Sequence, residues 1–407
     1  MESTSTDRPR VALYSHDTQG LGHLRRNLAV AGAFSRSPVA PEMLLLSGAN
    51  ELRSFDLPPS TDGVTLPGLA KDVNGRYAPQ SLTVSLERVV ALRAATLRAA
   101  LESFAPDVVV IDKVARGAFG ELEPALESLT ARGGTHIVLG LRDILDSPDS
   151  TRLEWERERT SQAIERYYDQ VWVYGDRRVY DPVLAYELPD AVARKVTFTG
   201  YLGQPRVDAP ARPDLPIGPG GYVLCTVGGG QDGAQLAHAF VDAARPAGVD
   251  GVVLCGPYFP PEALAALQQK VLGVPGIHLV PFIADPGPLL AGARAVISMA
   301  GYNTTVEVLS SGVPALFVPR VLPRLEQMVR AERLAALGLA DVLHPDRADA
   351  AGLSVWMHAH RPRPPSFDID LGGLDRVTDL LTAIATGPSA TAPRVARRDG
   401  EQFRAGR

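Results

Sequence analysis

Short apolar, β-branched runs that end in a glycine or a charged residue recur along this chain, spaced by helix-length segments, and the series runs through twice. Residues 11–14, 42–46, 106–112, 136–141, 170–174 and 195–198 form the first set. Residues 222–227, 251–255, 277–280, 295–297 and 315–318 form the second. Continuous apolar runs, rather than strict alternation, are what strands covered on both faces of a parallel sheet require. The pattern predicts an α/β protein of two doubly wound, Rossmann-like domains facing each other across a cleft. With 407 residues the chain is long enough for two such cores. Residues 201–220 hold several Pro and Gly residues without a period and read as an interdomain linker. That places an N-terminal domain at 1–200 and a C-terminal domain at 221–386, followed by an Ala-, Pro-, Ser- and Arg-rich tail, 387–407, that reads as disordered. Residues 57–79 read as a long surface loop, 81–104 as an amphipathic helix with an Arg-rich outer face, and 155–168 as one helix.

The ends of the apolar runs carry the chemistry. After residues 295–297, Gly301 permits a tight turn, and helix-compatible spacing continues to Ser311 until Gly312 and Pro314 stop it. Such a unit aims the unpaired N–H groups of Gly301, Tyr302, Asn303 and Thr304 at whatever lies above the sheet edge, which suits a diphosphate. Glu307, about one turn further on, is placed to accept from a ribose diol. An ordinary βαβ turn with a solvated Glu307 explains the same spacing.

A second Gly loop, Gly228, Gly229, Gly230 and Gln231, lies between a strand and a helix, so its amides can approach a phosphate without Cβ obstruction. Asp232 beside it is unfavourable next to a diphosphate unless it points away or meets a cation. Near the N-terminus, Gly20, Gly22 and His23 follow the first strand. An imidazole there can take a proton from an acceptor hydroxyl, or can merely cap the next helix. His16, with Asp17 beside it, is the competing base. Asp112, Arg142 and Asp143 end N-terminal strands and are candidate acceptor contacts, as is Asp17; surface ion pairs explain them equally. Arg320, Arg324 and Arg330 could neutralise phosphate, or could form a solvated helix face.

Taken in order, Gly301, Glu307, the segment from Gly312 and Pro314 to Pro319, and the polar pair Glu326 and Gln327 resemble the donor-binding signature of GT-B glycosyltransferases. The likeness is to the family of the N-acetylglucosaminyltransferase that makes lipid II, and to predicted bacterial glycosyltransferases. That family has a neutral amide where this chain has Glu326, and a Gly-Gly-Ser-x-Gly loop where this chain has residues 228–233 with Asp232 inserted. Its Gly-Gly-His turn aligns with Gly22 and His23; a Gly-His-x-x-Arg pattern here also resembles nucleotide-sugar hydrolases of the same architecture. The resemblance implies His23 as catalytic base, and a donor diphosphate on Gly22, Gly229, Gly230, Gln231 and Gly301 to Thr304. It further implies a nucleoside on Phe282, Ile283 and Glu307, and a donor sugar on Glu326 and Gln327. For Phe282 alone, a core role is the plainer reading.

Composition narrows the partners. Charged residues make up 21% of the chain and the net charge is −5, which disfavours nucleic acid and gives no strong draw to anionic lipid. The eight histidines show no metal-ligand spacing, and Cys225 and Cys255 sit in apolar runs as two thiols of a reducing cytoplasm. No run approaches the length of a membrane span. The expected function is an inverting, metal-independent transfer from a nucleotide diphosphate sugar, most simply a UDP-sugar, to a hydroxyl of a small-molecule or lipid-linked acceptor. No cofactor is expected beyond that co-substrate. A nucleotide-sugar hydrolase or 2-epimerase, and a non-catalytic nucleotide-sugar-binding protein, are the alternatives.

Overall fold

The computed structural model describes residues 8–17, 20–71, 77–203, 215–283, 285–359 and 367–387. The disordered tail expected from the sequence beyond residue 387, and most of the expected linker, therefore lie outside the described residues.

The first sheet has seven parallel strands. They are β1 (Arg10–Ser15), β2 (Glu42–Ser47), β3 (Thr61–Thr65), β6 (Val108–Asp112), β7 (His136–Arg142), β8 (Gln170–Tyr174) and β9 (Val196–Phe198), in the order β3-β2-β1-β6-β7-β8-β9. The two short strands between β3 and β6, β4 (Leu69–Lys71) and β5 (Tyr77–Pro79), form a separate antiparallel hairpin. A second sheet of six parallel strands follows. It comprises β10 (Tyr222–Thr226), β11 (Asp250–Leu254), β12 (Ile277–Val280), β13 (Ala295–Ser298), β14 (Ala315–Phe317) and β15 (Asp341–Val342), ordered β12-β11-β10-β13-β14-β15. In each sheet the strand order reverses once, between β1 and β6 and between β10 and β13. Loops leaving neighbouring strands at that point diverge and open a crevice at the carboxyl ends, where α/β sheets bind ligands.

Period-two alternation splits the strands between two faces. Val11 and Leu13 join one apolar cluster, Ala12 and Tyr14 another. The first of these clusters continues through Tyr201 and Tyr302 into the second sheet, so the two sheets share a buried seam. The last described helix, Gly373–Thr386, buries Leu374, Val377 and Leu381 in that seam and packs on the helix Gly22–Ser35 that follows β1. The C-terminal segment thus returns to the first sheet instead of closing on its own.

Three local expectations are corrected. Residues 57–79 are not one loop: Thr61–Thr65 pairs with β2 as an edge strand despite Asp62 and Gly63, because register with Met43 to Ser47 completes the ladder. The helix expected from residue 81 starts at Leu86, with the Ser85 hydroxyl accepting from the Arg88 amide. Its arginines do not all face outward: Arg93 is fully buried, donating to Glu121 at 2.5 and 2.7 Å and to the backbone oxygens of Pro67 and His16. The helix expected over 155–168 is two, Pro148–Arg157 and Thr160–Tyr167, divided at Arg159, whose φ of 49° breaks the i→i−4 ladder. Among the described residues no helix is long and apolar enough to cross a membrane.

Candidate active site

At the β1/β6 reversal the helix Gly22–Ser35 brings His23 over the end of β6. There its Nδ1 lies 2.5 Å from Asp112 Oδ2. Asp112 is buried and also accepts from Arg26 Nε and Nη2, at 3.2 and 2.7 Å. Burial alone would raise the Asp112 carboxyl; Arg26 and His23 instead hold it well below the ordinary carboxylate range. A carboxylate has only lone pairs to offer, so the Nδ1–H of His23 donates to it and Nε2 is left as the nitrogen that can take a proton. Burial lowers the His23 pKa, against the pull of Asp112, so the ring is neutral near pH 7 and competent as a base. The His16 ring lies tilted beside it, with ring centroids 4.6 Å apart; burial, then His23 and Lys113, depress its pKa well below the usual imidazole value.

The β10/β13 reversal supplies an anion cradle opposite. Gly228, Gly229, Gly230 and Gln231 line one cavity of about 260 Å³ together with His23, Gly301, Thr304, Glu326 and Gln327. Gly228 and Gly230 have φ of 62° and 94°. A Cβ at Gly230 would stand 2.3 Å from the Cys255 carbonyl oxygen, so only glycine fits that turn. A Cβ at Gly301 would meet nothing within 4 Å, which leaves room above the helix Tyr302–Ser311 for a ligand. Gly301 itself is the N-cap with an ordinary φ of −62°; the left-handed residue in this turn is Ala300, at 59°, and not the expected glycine. Asp232 meets a cation, Arg320 Nη1 at 2.7 Å, and is thereby neutralised beside the cradle.

An adjoining cavity of about 230 Å³ is lined by Phe282, Ile283 and Glu307. Phe282 is 46% exposed, so the plain core reading fails for it. Glu307 is held at 2.5 Å by Arg25 of the first sheet's helix; burial raises its pKa and Arg25 partly offsets that. Glu326 lies on the floor of both cavities, accepting from Arg320 at 2.9 Å, with Oε2 buried and unpartnered. Gln327 Oε1 accepts from the Arg320 amide at 2.9 Å, which fixes the guanidinium against Glu326.

Several expected contacts serve the structure instead. Asp17 Oδ1 accepts from the Leu24 amide and Oδ2 from the hydroxyls of Ser47 and Ser15, so it shapes the loop. Asp143 is buried, bound by Arg330 at 2.6 and 2.9 Å and by the Tyr201 hydroxyl at 3.0 Å. Asp112 is committed to His23 and Arg26. The Tyr302 side chain donates to the Tyr174 carbonyl across the seam at 2.9 Å, and the Asn303 amide donates to the Gly22 carbonyl at 3.0 Å. Only the backbone N–H groups of Tyr302 and Asn303 remain for an anion. Gly22 lines the Glu307 cavity but its carbonyl is taken. Arg142 faces the cavities shared with Glu326, not a separate acceptor surface, and burial lowers its pKa to about 10. Lys113, which the β-branched run delivers together with Asp112, follows the end of β6 with a φ of 71°, and nothing else in the sequence marks it as a site residue.

Two doubly wound sheets with ligand crevices at facing reversals define the GT-B fold. The chain carries, over residues 224–354, a match to the model of the glycosyltransferase family 28 C-terminal domain. Among its relatives are two UDP-N-acetylglucosamine–N-acetylmuramyl-(pentapeptide) pyrophosphoryl-undecaprenol N-acetylglucosamine transferases. The one from Methylorubrum populi is 29% identical over half of this chain and 57% of its own length; the one from Saccharopolyspora erythraea is 32% identical over 34% of this chain and 36% of its own. The chain therefore spans about a third to just over half of the relatives it matches. Solved structures similar over 92–93% of the chain include the calicheamicin glycosyltransferase CalG4 (TM-score 0.58, 21% identity, 98% of that chain). MurG of Acinetobacter baumannii gives a TM-score of 0.55 at 16% identity over 92% of this chain and 99% of its own. A Listeria monocytogenes protein described as a UDP-N-acetylglucosamine 2-epimerase gives 0.60 at 13% identity over 92% of this chain and 96% of its own.

Proposed function

We propose that this chain is an inverting, metal-independent glycosyltransferase that moves a sugar from a UDP-sugar to a hydroxyl of a small-molecule or lipid-linked acceptor. Residues 1–200 hold the acceptor, and residues 221–386, less the returning last helix, hold the donor. The observation that carries this reading is one cavity walled at one end by the 228–231 loop and the start of the helix Tyr302–Ser311, and at the other by His23 backed by Asp112.

The acceptor O–H gives its proton to His23 Nε2 as its oxygen attacks the anomeric carbon from the face opposite the diphosphate. The bond from that carbon to the phosphate oxygen breaks, its electron pair leaves on UDP, and configuration inverts. Asp112 stabilises the imidazolium that forms. Backbone amides at Gly229, Gly230 and Thr304 take up the charge on the leaving diphosphate.

Thermal unfolding with UDP, TDP, GDP and ADP tests the donor half. Saturating UDP, about 100-fold above its dissociation constant, should add roughly 2.7 kcal/mol of stability. Glu307→Ala should weaken that stabilisation, since the ribose diol loses its acceptor. Glu307→Ala also breaks the part-buried Arg25 pair, so the readout is the UDP-induced shift within each chain and not their absolute stabilities. Equal stabilisation of wild type and variant would remove Glu307 from the nucleoside site.

A further inference from the structure

On the first-sheet side of the active site lies another cavity, of about 470 Å³, which shares His16, Lys113 and Arg324 with the one holding His23. Phe119 and Trp155 supply its apolar walls. The volume suits a small organic ligand of one or two rings. At its throat the Lys113 ammonium has no ion pair or side-chain hydrogen bond among the described residues.

The charged groups around Lys113 come from every neighbouring element: Arg142 from the end of β7, Arg324 and Glu326 from the segment entering the helix Glu326–Ala336, and Glu154 from the helix Pro148–Arg157. His16, from the loop after β1, also lies within its field. Glu154 is engaged by Arg324 at 3.0 Å, and Glu326 accepts from Arg320 at 2.9 Å through Oε1 alone, and neither makes an ion pair with Lys113. A half-buried ammonium among arginines, with no counter-ion of its own, is costly unless a ligand supplies one. Consistently, burial and then Arg142 and Arg324 push its pKa down to about 7. His16 adds a second unmet group: the residue is 8% exposed and its Nδ1 is buried without a partner.

We propose that this cavity is the acceptor site and takes a flat, ring-containing hydroxy compound bearing an acidic group, with its hydroxyl at His23 and His16 and its acid paired with Lys113. The assignment rests on the transferase reading for the word acceptor, but the anion pocket can be tested without it. The acid is a carboxylate or a phosphate, and matched probes separate the two.

Isothermal titration of the full chain would compare 4-hydroxybenzoate, 4-hydroxyphenyl phosphate and the neutral 4-hydroxybenzamide, with tryptophan emission reporting on Trp155. At about pH 6.5 at least one acid should bind roughly tenfold or more tightly than the amide. Lys113→Met should remove that preference and Lys113→Arg keep it. Affinity for the acid should fall as pH rises from about 6.5 to 8.5, because the free ammonium then loses its proton, while the amide is unaffected. Equal binding of acid and amide, or an acid preference that survives Lys113→Met, overturns the proposal. If Lys113→Met does not fold, the wild-type acid–amide ratio and its pH dependence decide alone. UDP stabilisation is read on the same samples. Acid binding that depends on Lys113 without any UDP effect would keep the anion pocket and overturn the donor reading; UDP binding without acid preference would do the reverse.

Discussion

His23→Ala is expected to lower the rate of sugar transfer by about 10²- to 10⁴-fold, the usual contribution of a positioned general base, with UDP binding unchanged. The separation follows from the geometry. His23 is held by Asp112, Arg26 and His16 on the first sheet's side, whereas the groups proposed to hold the diphosphate come from the loops after β10 and β13. Asp112→Asn should be nearly as damaging, because an amide no longer dictates which ring nitrogen carries the proton and no longer pairs with the buried Arg26. The pH profile gives the sign. Burial lowers the His23 pKa, so the free-enzyme acid limb of kcat/KM should lie below the ordinary imidazole value of about 6.5, with activity lost as pH falls through it. A His23→Ala variant with full activity would assign the base elsewhere, with His16 next in line, and an acid limb well above that value would count against both imidazoles.

The second large effect concerns stability. Asp143→Ala should destabilise the chain by about 3–5 kcal/mol, because it strands a fully buried Arg330 without its carboxylate. The pair joins the end of β7 in the first sheet to the helix Glu326–Ala336 in the second, and Arg330 also donates to the Ala300 carbonyl at 3.0 Å beneath the anion cradle. Burial would lower the Arg330 pKa, but Asp143 outweighs it and the guanidinium stays charged. Removing both charges in Asp143→Leu/Arg330→Met should cost less than Asp143→Ala alone, since no unpaired ion then remains. Urea unfolding of the three chains makes the comparison, and a single variant as stable as wild type would contradict it.

What could be read from the sequence depended on whether the cause was local. Buried parallel strands need continuous apolar runs, so β6, β7 and β10 stood out, and the loops after β1, β10 and β13 followed from them. The edge strand β3 did not, because Asp62 and Gly63 are tolerated where one side of the ladder is open. In the turn after β13 the sequence pointed to Gly301, yet Ala300 takes the left-handed backbone. The glycine serves instead to leave open space above the helix start.

Roles set by partners far along the chain were illegible. Asp112 lies 89 residues from His23, Asp143 lies 187 from Arg330, and Asn303 lies 281 from Gly22. Each polar side chain at a strand end was visible as a candidate, but only the fold decides whether it meets a ligand or another residue. Asp112 meets His23 and Arg26, Asp17 meets the Leu24 amide and two serine hydroxyls, and Asp143 meets Arg330 and Tyr201. Lys113 gained its character from arginines contributed by two other segments.

The most direct test of the account follows donor and product by proton NMR while the chain, in EDTA, is given an α-linked UDP-sugar with and without hydroxyl acceptors. An inverting, metal-independent transferase gives acceptor-dependent release of UDP and a β-linked product, unaffected by chelation. A product that keeps the α configuration, a strict need for added Mg²⁺ or Mn²⁺, or UDP release that proceeds equally without acceptor would contradict that assignment.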